Sequence, residues 1–312
     1  MKKIFKFDAS SLKESSCDLR FWNITVEGYT GGLVTNDVLF GSAIHKFNEV
    51  IVKSNGHFKD AITAMKIVFD RPCIIKSNKK YLTLNYLTQT CLNYWDEFLS
   101  KDDFSYFIMP NGEPAVELQF SMKIYEDDNI EIYLEGTIDK FGKINNGCYA
   151  IGDYKATSSW NPKEYFEGYR LSPQLKTYIY AVNRLAKDNP DSAFASKAGT
   201  QIGAFIDGIF FTPSNPSKFQ RSEVIVFKPE QMDEYETLLQ RTCNDFALMY
   251  SHYLATNEVP LGNGLINGSC ETKYGRCKYF NVCAAPDKVS AGHLLKRDFV
   301  KKEYQPLMFG KD

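Results

Sequence analysis

Polar side chains that suit metal-assisted chemistry are concentrated between residues 130 and 180. Asp139 follows a run of alternating apolar residues, and Asp153 and Lys155 stand two positions apart in a second such run. Side chains two positions apart on a strand share a face, so Asp153 and Lys155 point the same way and Tyr154 points to the other side. The segment therefore predicts two carboxylates and an amine displayed by neighbouring strands.

Two carboxylates beside a lysine suit a hard divalent cation, because Mg²⁺ and Mn²⁺ prefer oxygen ligands and keep waters that substrate oxygens can replace. Such a cation lowers the pKa of its water, and a lysine can orient that water or neutralise a developing oxyanion. Gln174 and Tyr178, four positions apart on a predicted helix, line one edge of it. Taken alone, Asp153 and Lys155 also fit a solvated ion pair on an exposed strand.

The spacing of the two acids favours a hairpin. Asp139 precedes Asp153 by fourteen positions, with Gly142 and the Asn-Asn-Gly segment 145–147 as turn residues between them. A hairpin of this length brings its two strands side by side. We therefore expect Asp139 and Asp153 to lie close together.

Three motifs follow one another along this region. They are Gly136-Thr137-Ile138-Asp139, then Asp153-Tyr154-Lys155, then Gln174 and Tyr178 with three residues between them. In this order and spacing the chain resembles the PD-(D/E)XK nuclease superfamily, and within it the RecB-type exonucleases, including their CRISPR-associated iron–sulfur branch. The resemblance implies a restriction-endonuclease-like α/β fold with a mixed central β-sheet flanked by helices.

A further motif lies on a helix predicted within residues 39–56, where His45, Glu49 and Lys53 recur at every fourth position. A lone histidine on a helix is ordinarily a solvated or hydrogen-bonded residue. However, Gly41 and His45 match the first motif of the same nuclease branch. The resemblance therefore implies that His45 is a metal ligand.

The resemblance also implies a role for each motif residue. It implies a ligand set for one or two Mg²⁺ or Mn²⁺ ions consisting of His45, Asp139, Asp153 and the carbonyl of Tyr154. Lys155 would then position the attacking water and steady the transition state. Gln174 and Tyr178 would orient Lys155 or the scissile phosphate.

The chain has eight cysteines, three of which (Cys270, Cys277 and Cys283) crowd one glycine-bearing segment. Clustered thiols of this kind suit an iron–sulfur cluster or zinc, both of which take four ligands. Cys17 is the candidate fourth ligand, although a lone cysteine beside aromatic residues is more often part of the core.

In the iron–sulfur members of the RecB-like family, one N-terminal cysteine and three cysteines beyond the nuclease core hold a 4Fe–4S cluster. The resemblance implies such a clasp for Cys17 together with the three cysteines of residues 260–290. The separation of Cys277 and Cys283 matches the family, whereas six residues separate Cys270 from Cys277 where the family has two. Zinc and the absence of any metal remain the alternatives.

Composition bounds the class of protein. The 312 residues, 44% hydrophobic and 24% charged, can form one elaborated domain or two small ones. A formal net charge of −1 excludes a protein held to nucleic acid by bulk charge, so DNA contact would need a local groove. The N-terminal segment predicts neither a signal peptide nor a transmembrane span. We therefore expect a cytoplasmic protein with reduced thiols and no membrane partner.

The remaining patterns predict the elements around the motifs. Residues 116–124 alternate strictly as a half-buried strand, with Glu117 on its polar face in a supporting position behind the metal ligands. Residues 205–211 and 224–227 are predicted strands, and residues 229–255 are a predicted long helix.

These elements and motifs predict one PD-(D/E)XK domain over residues 1–312. It would carry a helical insertion at about residues 46–100. The catalytic core would occupy residues 113–187, and the metal-cluster region would combine residues 260–290 with Cys17.

The sequence thus predicts an Mg²⁺- or Mn²⁺-dependent deoxyribonuclease that acts on single strands or DNA ends in recombination, repair or replication. An exonuclease is favoured over an endonuclease. Because no Walker-type phosphate loop is present, unwinding would need a helicase or another recombination protein as a partner. The alternative is a DNA-end-binding subunit of a recombination complex with little nuclease activity, which the intact Asp139, Asp153 and Lys155 disfavour. The motif of Gln174 and Tyr178 disfavours a metal-dependent phosphatase.

Overall fold

The computed structural model describes residues 2–30, 36–71, 79–144, 147–159, 161–188, 191, 194, 200–213, 217–272 and 275–301. The chain divides into two compact units, which are described separately. The first unit consists of Met1–Leu33, Phe120–Gly136 and Asp233–Asp312. The second unit consists of Val34–Gln119 and Thr137–Met232.

Runs of strands and runs of helices follow one another along the described chain. In chain order the strands are β1 Lys3–Phe7, β2 Tyr29–Thr30, β3 Ser105–Tyr106, β4 Val116–Glu126, β5 Ile130–Lys143, β6 Tyr149–Thr157, β7 Gly203–Phe210, β8 Lys218–Arg221, β9 Glu271–Thr272, β10 Gly275–Arg276 and β11 Val300–Lys301. The helices are α1 Ala9–Glu14, α2 Asp18–Thr25, α3 Asn36–Lys53, α4 Phe58–Phe69, α5 Leu84–Glu97, α6 Pro162–Glu167, α7 Pro173–Asp188, α8 Pro229–Thr256, α9 Gly264–Asn267, α10 Phe280–Cys283 and α11 Lys288–Asp298.

The sheet of the second unit is mixed. The C-terminal half of β5 pairs antiparallel with β6, with Lys140 opposite Gly152, so the predicted hairpin is confirmed. Strand β6 runs parallel to β7, and β7 pairs antiparallel with β8. Because β6 and β7 are parallel, their connection must cross over, and α7 lies in that connection. The predicted α/β fold with a mixed central sheet is confirmed.

Helices cover both faces of β6. Tyr154 packs into a buried apolar cluster with residues of α3, α4 and α5, including Phe40, Phe47, Met65 and Tyr94. On the other face, the side chain of Asp153 contacts Gln174 of α7. Helices α4 and α5 fall within the predicted helical insertion.

In the first unit, β1 pairs parallel with the N-terminal half of β5. The rings of Phe5 and Phe7 point to one side of β1 and pack against Phe246 of α8, with centroids 4.9 and 5.3 Å apart. Near the C-terminus, Tyr279 stacks on Phe299 at 4.4 Å. Aromatic side chains therefore hold the described termini of the chain in this unit.

Two local predictions were wrong. Gly142, predicted as a turn residue, lies within β5, where a Cβ would overlap the backbone of Ser105 in β3. The predicted strand 224–227 contributes only a single bridge between Ile225 and Ala204, and Lys218–Arg221 forms the edge strand instead.

The predicted turn at Asn145 and Asn146 falls outside the described residues, whereas Gly147 adopts a left-handed φ of 81°. Among the described helices, none combines the length and apolarity that crossing a membrane would require.

Candidate metal and catalytic site

The strand pairing of the second unit brings Asp139 and Asp153 together. The backbone N–H of Tyr154 donates a hydrogen bond to Oδ2 of Asp139 at 2.7 Å, which ties the side chain of β5 to the backbone of β6. Both carboxylates are buried, with 5% of Asp139 and 1% of Asp153 exposed. Two acids this deeply buried need a cation or hydrogen-bond donors nearby to be ionised.

Helix α3 brings His45 to the same place. Its Nδ1 lies 3.5 Å from Oδ2 of Asp139 and 3.4 Å from Oε1 of Glu117. The ligand atoms of these three residues all lie within 4.8 Å of one another. Nε2 of His45 lies 3.1 Å from the carbonyl oxygen of Tyr154, the atom predicted as a further ligand. Three potential metal ligands therefore converge from α3, β4 and β5.

The backbone of Glu117 is held in an uncommon conformation. Its φ of 51° is left-handed, a region that costs a residue other than glycine on the order of 1–3 kcal/mol and that is concentrated at functional sites. Burial raises the pKa of the Glu117 carboxyl. Its Oε1 is buried and makes no hydrogen bond to any residue in the described part of the chain. A buried carboxylate oxygen without a hydrogen bond fits a cation ligand.

Sequence reasoning gave Glu117 only a supporting position, whereas the structure groups it with His45 and Asp139 as a potential ligand. The available signal was an acid on the polar face of a strand next to the strand of Asp139. Strict alternation cannot reveal a left-handed residue, which turns the side chain away from the direction that the pattern predicts.

His45, Glu117 and Asp139 shift one another's pKa values. Burial lowers the pKa of His45, but Asp139 and Glu117 more than offset this and hold it well above its usual range. Burial raises the pKa of Asp139, but the charges of His45 and Lys155 and the N–H of Tyr154 hold it below its usual value. The carboxylate of Asp139 is therefore kept ionised, as a metal ligand must be.

Asp153 and Lys155 form a second part of the site. Nζ of Lys155 lies 2.5 Å from Oδ2 of Asp153. Burial, together with the nearby charge of Asp139, raises the pKa of Asp153 to about 6, although Lys155 opposes this. Burial lowers the pKa of Lys155, but Asp153 and Asp139 outweigh this and raise it, so the amine carries its proton. A charged amine therefore stands beside the carboxylates.

Helix α7 supports Asp153. Nε2 of Gln174 donates to Oδ1 of Asp153 at 3.0 Å and to the hydroxyl of Tyr178 at 2.8 Å. These two hydrogen bonds of Gln174 orient Asp153, whereas the sequence predicted that Gln174 and Tyr178 would orient Lys155 or a phosphate.

The donor set fits a hard divalent cation. Carboxylate oxygens suit Mg²⁺ and Mn²⁺, and an imidazole nitrogen extends the set toward transition metals such as Mn²⁺. His45, Glu117 and Asp139 supply one nitrogen and two carboxylates within a ligand-sized space, with the carbonyl of Tyr154 next to them. Lys155, paired with Asp153, lies on β6, the strand next to that of Asp139.

The four predicted cysteine ligands all lie in the first unit. Cys17 is buried before the first turn of α2, and Cys283 ends α10. Burial raises the pKa of Cys283, and Cys17, Cys277 and Cys270 each raise it further. The backbone N–H of Cys277 donates to the carbonyl oxygen of Cys270 at 2.8 Å, which brings these two cysteines together.

Two glycines lie next to the sulfur atoms, at positions where a Cβ would contact them. A Cβ at Gly264 would lie 2.8 Å from Sγ of Cys270, and a Cβ at Gly262 would lie 3.4 Å from Sγ of Cys283. Nη1 of Arg20 lies 3.8 Å from Sγ of Cys277. Four thiols with this surrounding fit a thiophilic metal centre.

Comparison with known proteins gives a match to a family model. The family model described as the PD-(D/E)XK nuclease superfamily matches residues 13–284, a span that includes every candidate ligand and catalytic residue named above. No curated protein matches the chain.

Two solved structures are similar to the chain. A candidate exonuclease from Eubacterium rectale is 14% identical, with a TM-score of 0.43 over 90% of this chain and 87% of that one. The structure of SSO0001 is 10% identical, with a TM-score of 0.28 over 75% of this chain and 84% of that one. Scores this low assign neither fold nor activity, so the family rests on the match to residues 13–284.

Proposed function

The chain belongs to the PD-(D/E)XK nuclease superfamily, and we propose that it is an Mg²⁺- or Mn²⁺-dependent deoxyribonuclease that hydrolyses phosphodiester bonds. The observation that carries this proposal is the convergence of His45, Glu117 and Asp139 next to the ion pair of Asp153 and Lys155. These groups combine potential cation ligands with a charged amine, which are the parts that metal-assisted hydrolysis requires.

In the proposed reaction the site residues bind the cation, orient the attacking water or hold another site residue in place. His45, Glu117 and Asp139 hold the cation, and Asp153 and the carbonyl of Tyr154 complete its surroundings. When bound, the cation lowers the pKa of a water molecule and screens the charge of the phosphate. Lys155 orients that water and neutralises charge that develops on the phosphate oxygens. Gln174 holds Asp153 in place, and Tyr178 holds Gln174.

We propose further that the enzyme is an exonuclease that acts on single strands or DNA ends. The RecB-type motifs around Asp139, Asp153 and Gln174 support this assignment. The cellular setting we propose is DNA recombination, repair or replication in the cytoplasm. A helicase or another recombination protein would supply unwinding. We propose that residues 1–312 work as one nuclease domain.

A second cofactor is part of the proposal. We propose that Cys17, Cys270, Cys277 and Cys283 hold a 4Fe–4S cluster, with zinc as the alternative. The glycines beside Cys270 and Cys283 and the backbone hydrogen bond between Cys277 and Cys270 support a shared centre. A centre of this kind ties the segment around Cys17 to the C-terminal segment, which removes conformational entropy from the unfolded chain.

The nuclease proposal is tested with linear and circular single-stranded DNA. Anaerobically purified protein is incubated with Mn²⁺, Mg²⁺ or a chelator, in parallel with its Lys155→Ala variant. We expect cation-dependent loss of the linear DNA only, and much slower loss with the variant. Cutting of circles would replace the exonuclease by an endonuclease.

A well-folded protein that binds DNA ends but cuts no substrate under any of these conditions would overturn the nuclease proposal. That result would leave the DNA-end-binding subunit as the explanation of the fold.

A further inference from the structure

Four charged residues form a buried network in the second unit, on the face of the sheet opposite Asp153 and Lys155. We call Asp102, Lys140, Asp207 and Arg221 the rear-face network. Lys140 and Asp207 are each 0% exposed. Two positive and two negative groups leave the network without net charge.

Every charge in the rear-face network has a partner. Nζ of Lys140 pairs with Asp207 and lies 3.7 Å from Oδ2 of Asp102. Arg221 donates two hydrogen bonds to Asp102, at 2.6 and 2.7 Å, and two to Asp207, at 2.7 and 3.0 Å. Bidentate contacts of this kind fix geometry as well as charge.

The rear-face network crosses the strands that carry the catalytic carboxylates. Lys140 of β5 lies opposite Gly152 of β6, and its side chain passes over that glycine to reach Asp207 of β7. A Cβ at position 152 would overlap Lys140 and lie 2.7 Å from Cζ of Phe205. Gly152 therefore keeps the path of Lys140 open, immediately before Asp153.

Tyr154 links the rear-face network to the metal site. On the rear face its ring lies 4.9 Å from Nζ of Lys140, and its hydroxyl lies 3.1 Å from that of Tyr106. Its backbone N–H bonds Asp139 at 2.7 Å, and its carbonyl oxygen lies 3.1 Å from Nε2 of His45. Tyr154 therefore contacts two candidate metal ligands, Asp139 and His45, through its backbone. A displacement of Tyr154 would alter both contacts.

Stability alone gives weak grounds for such a network. Removing buried charges from water costs several kcal/mol per ion, and apolar replacements of whole buried ion pairs are often neutral or stabilising, on the order of 1–4 kcal/mol. The nuclease chemistry proposed above uses none of the four charges directly. Their common property is that they tie β5, β6 and β7 together behind Asp139, Asp153 and Lys155.

We infer that the rear-face network is a positioning device for the metal site. It fixes the register of β5 against β6 and the place of Tyr154, and so sets the separation of His45 and Asp139. This inference rests on the proposed function, because it assigns the network to the metal site of that nuclease.

The test replaces one complete ion pair. A Lys140→Met and Asp207→Leu double variant removes one positive and one negative charge and leaves Arg221 with Asp102. Mn²⁺ binding is measured by electron paramagnetic resonance of free Mn²⁺, and folding by the thermal midpoint. We expect a folded protein whose Mn²⁺ dissociation constant rises about tenfold or more, as for other partners that orient metal ligands.

The matched control is an Arg241→Met and Asp245→Leu double variant, which removes an exposed ion pair of the first unit. It should bind Mn²⁺ as the parent does. If the buried double variant fails to fold, Tyr106→Phe decides the question, because it deletes only the hydroxyl next to that of Tyr154. We expect it to stay folded and to weaken Mn²⁺ binding severalfold.

The outcomes separate the two proposals. Mn²⁺ binding by the parent that is lost in His45→Ala establishes the metal site itself. If the parent binds Mn²⁺ in this way and the folded rear-face variants bind it equally well, the positioning role is wrong and the metal site stands. If the parent binds no Mn²⁺, the proposed function fails and this inference fails with it.

Discussion

Lys155 and Asp153 are joined by an ion pair of 2.5 Å between Nζ and Oδ2. The other oxygen of Asp153 accepts a hydrogen bond from Gln174, so both oxygens of the carboxylate are engaged. The amine is therefore held beside the carboxylates without being a metal ligand itself. This separates the expected effect of Lys155 on the reaction rate from any effect on metal binding.

We expect Lys155→Ala to lower the rate of DNA hydrolysis by about 10²–10³-fold, as loss of one charge-stabilising donor typically does. The affinity for Mn²⁺ should be unchanged or higher, because the variant removes a positive charge from the site. Single-turnover cleavage rates and Mn²⁺ titrations measure the two quantities. Lys163→Ala, at an exposed position of α6, is the control. A Lys155→Ala variant that cleaves at the parental rate would contradict the role assigned to the amine.

Glu117 combines a strained backbone with a candidate ligand, so a single substitution should affect stability and metal binding in opposite directions. Glu117→Gly should stabilise the metal-free protein by about 1 kcal/mol, because glycine adopts a left-handed φ without strain. The same substitution should weaken Mn²⁺ binding by about 10–100-fold, because it removes one carboxylate. Chemical denaturation and Mn²⁺ titration check the two effects.

The control for strain is Asn55→Gly, at an exposed residue with a nearly identical φ of 52°. It should leave Mn²⁺ binding unchanged. A destabilised Glu117→Gly variant with parental Mn²⁺ affinity would show that Glu117 has only a packing role.

Metal affinity should depend on pH through the candidate ligands. The pKa of Asp153 is raised to about 6 by burial, and that of His45 is held well above its usual range by Asp139 and Glu117 despite burial. These groups hold protons in the metal-free protein that a cation must displace, so affinity falls as pH falls. Between about pH 5 and pH 7 we expect the Mn²⁺ association constant to rise about tenfold per pH unit for each proton displaced, with the contribution of Asp153 confined to pH values below about 6.

Calorimetry in two buffers with different ionisation enthalpies measures the protons released when Mn²⁺ binds. A dissociation constant that stays flat across this pH range, without proton release, would rule out this linkage.

The sequence predicted the parts of the site that depend on local periodicity. The alternation of β6 put Asp153 and Lys155 on one face, and the hairpin spacing brought β5 beside β6. The four-residue spacing on α7 placed Gln174 next to Tyr178, which its hydrogen bond confirms. Each of these relations involves neighbours along one helix or one hairpin, where side-chain direction follows from spacing.

Other relations are tertiary, and spacing could not predict them. The approach of Glu117 to His45 depends on a left-handed residue. Lys140 reaches Asp207, two strands away in the sheet, by passing over Gly152. Gly142 was mistaken for a turn residue because glycine marks turns and close strand packing alike. The edge strand is Lys218–Arg221 and not the predicted residues 224–227. Its Arg221 joins the rear-face network, which no local pattern reveals.

The proposed metal centre of the first unit makes a final prediction. Cys17→Ala should abolish the bound iron and acid-labile sulfide of anaerobically purified protein, and should lower its thermal midpoint, because binding energy of a structural metal centre is folding energy. Cys148→Ala, which removes an exposed thiol from the second unit, should leave metal content and thermal midpoint unchanged. Elemental analysis distinguishes iron from zinc. Zinc in place of iron would change the centre but keep its ligands, whereas parental metal content in Cys17→Ala would exclude Cys17 as a ligand.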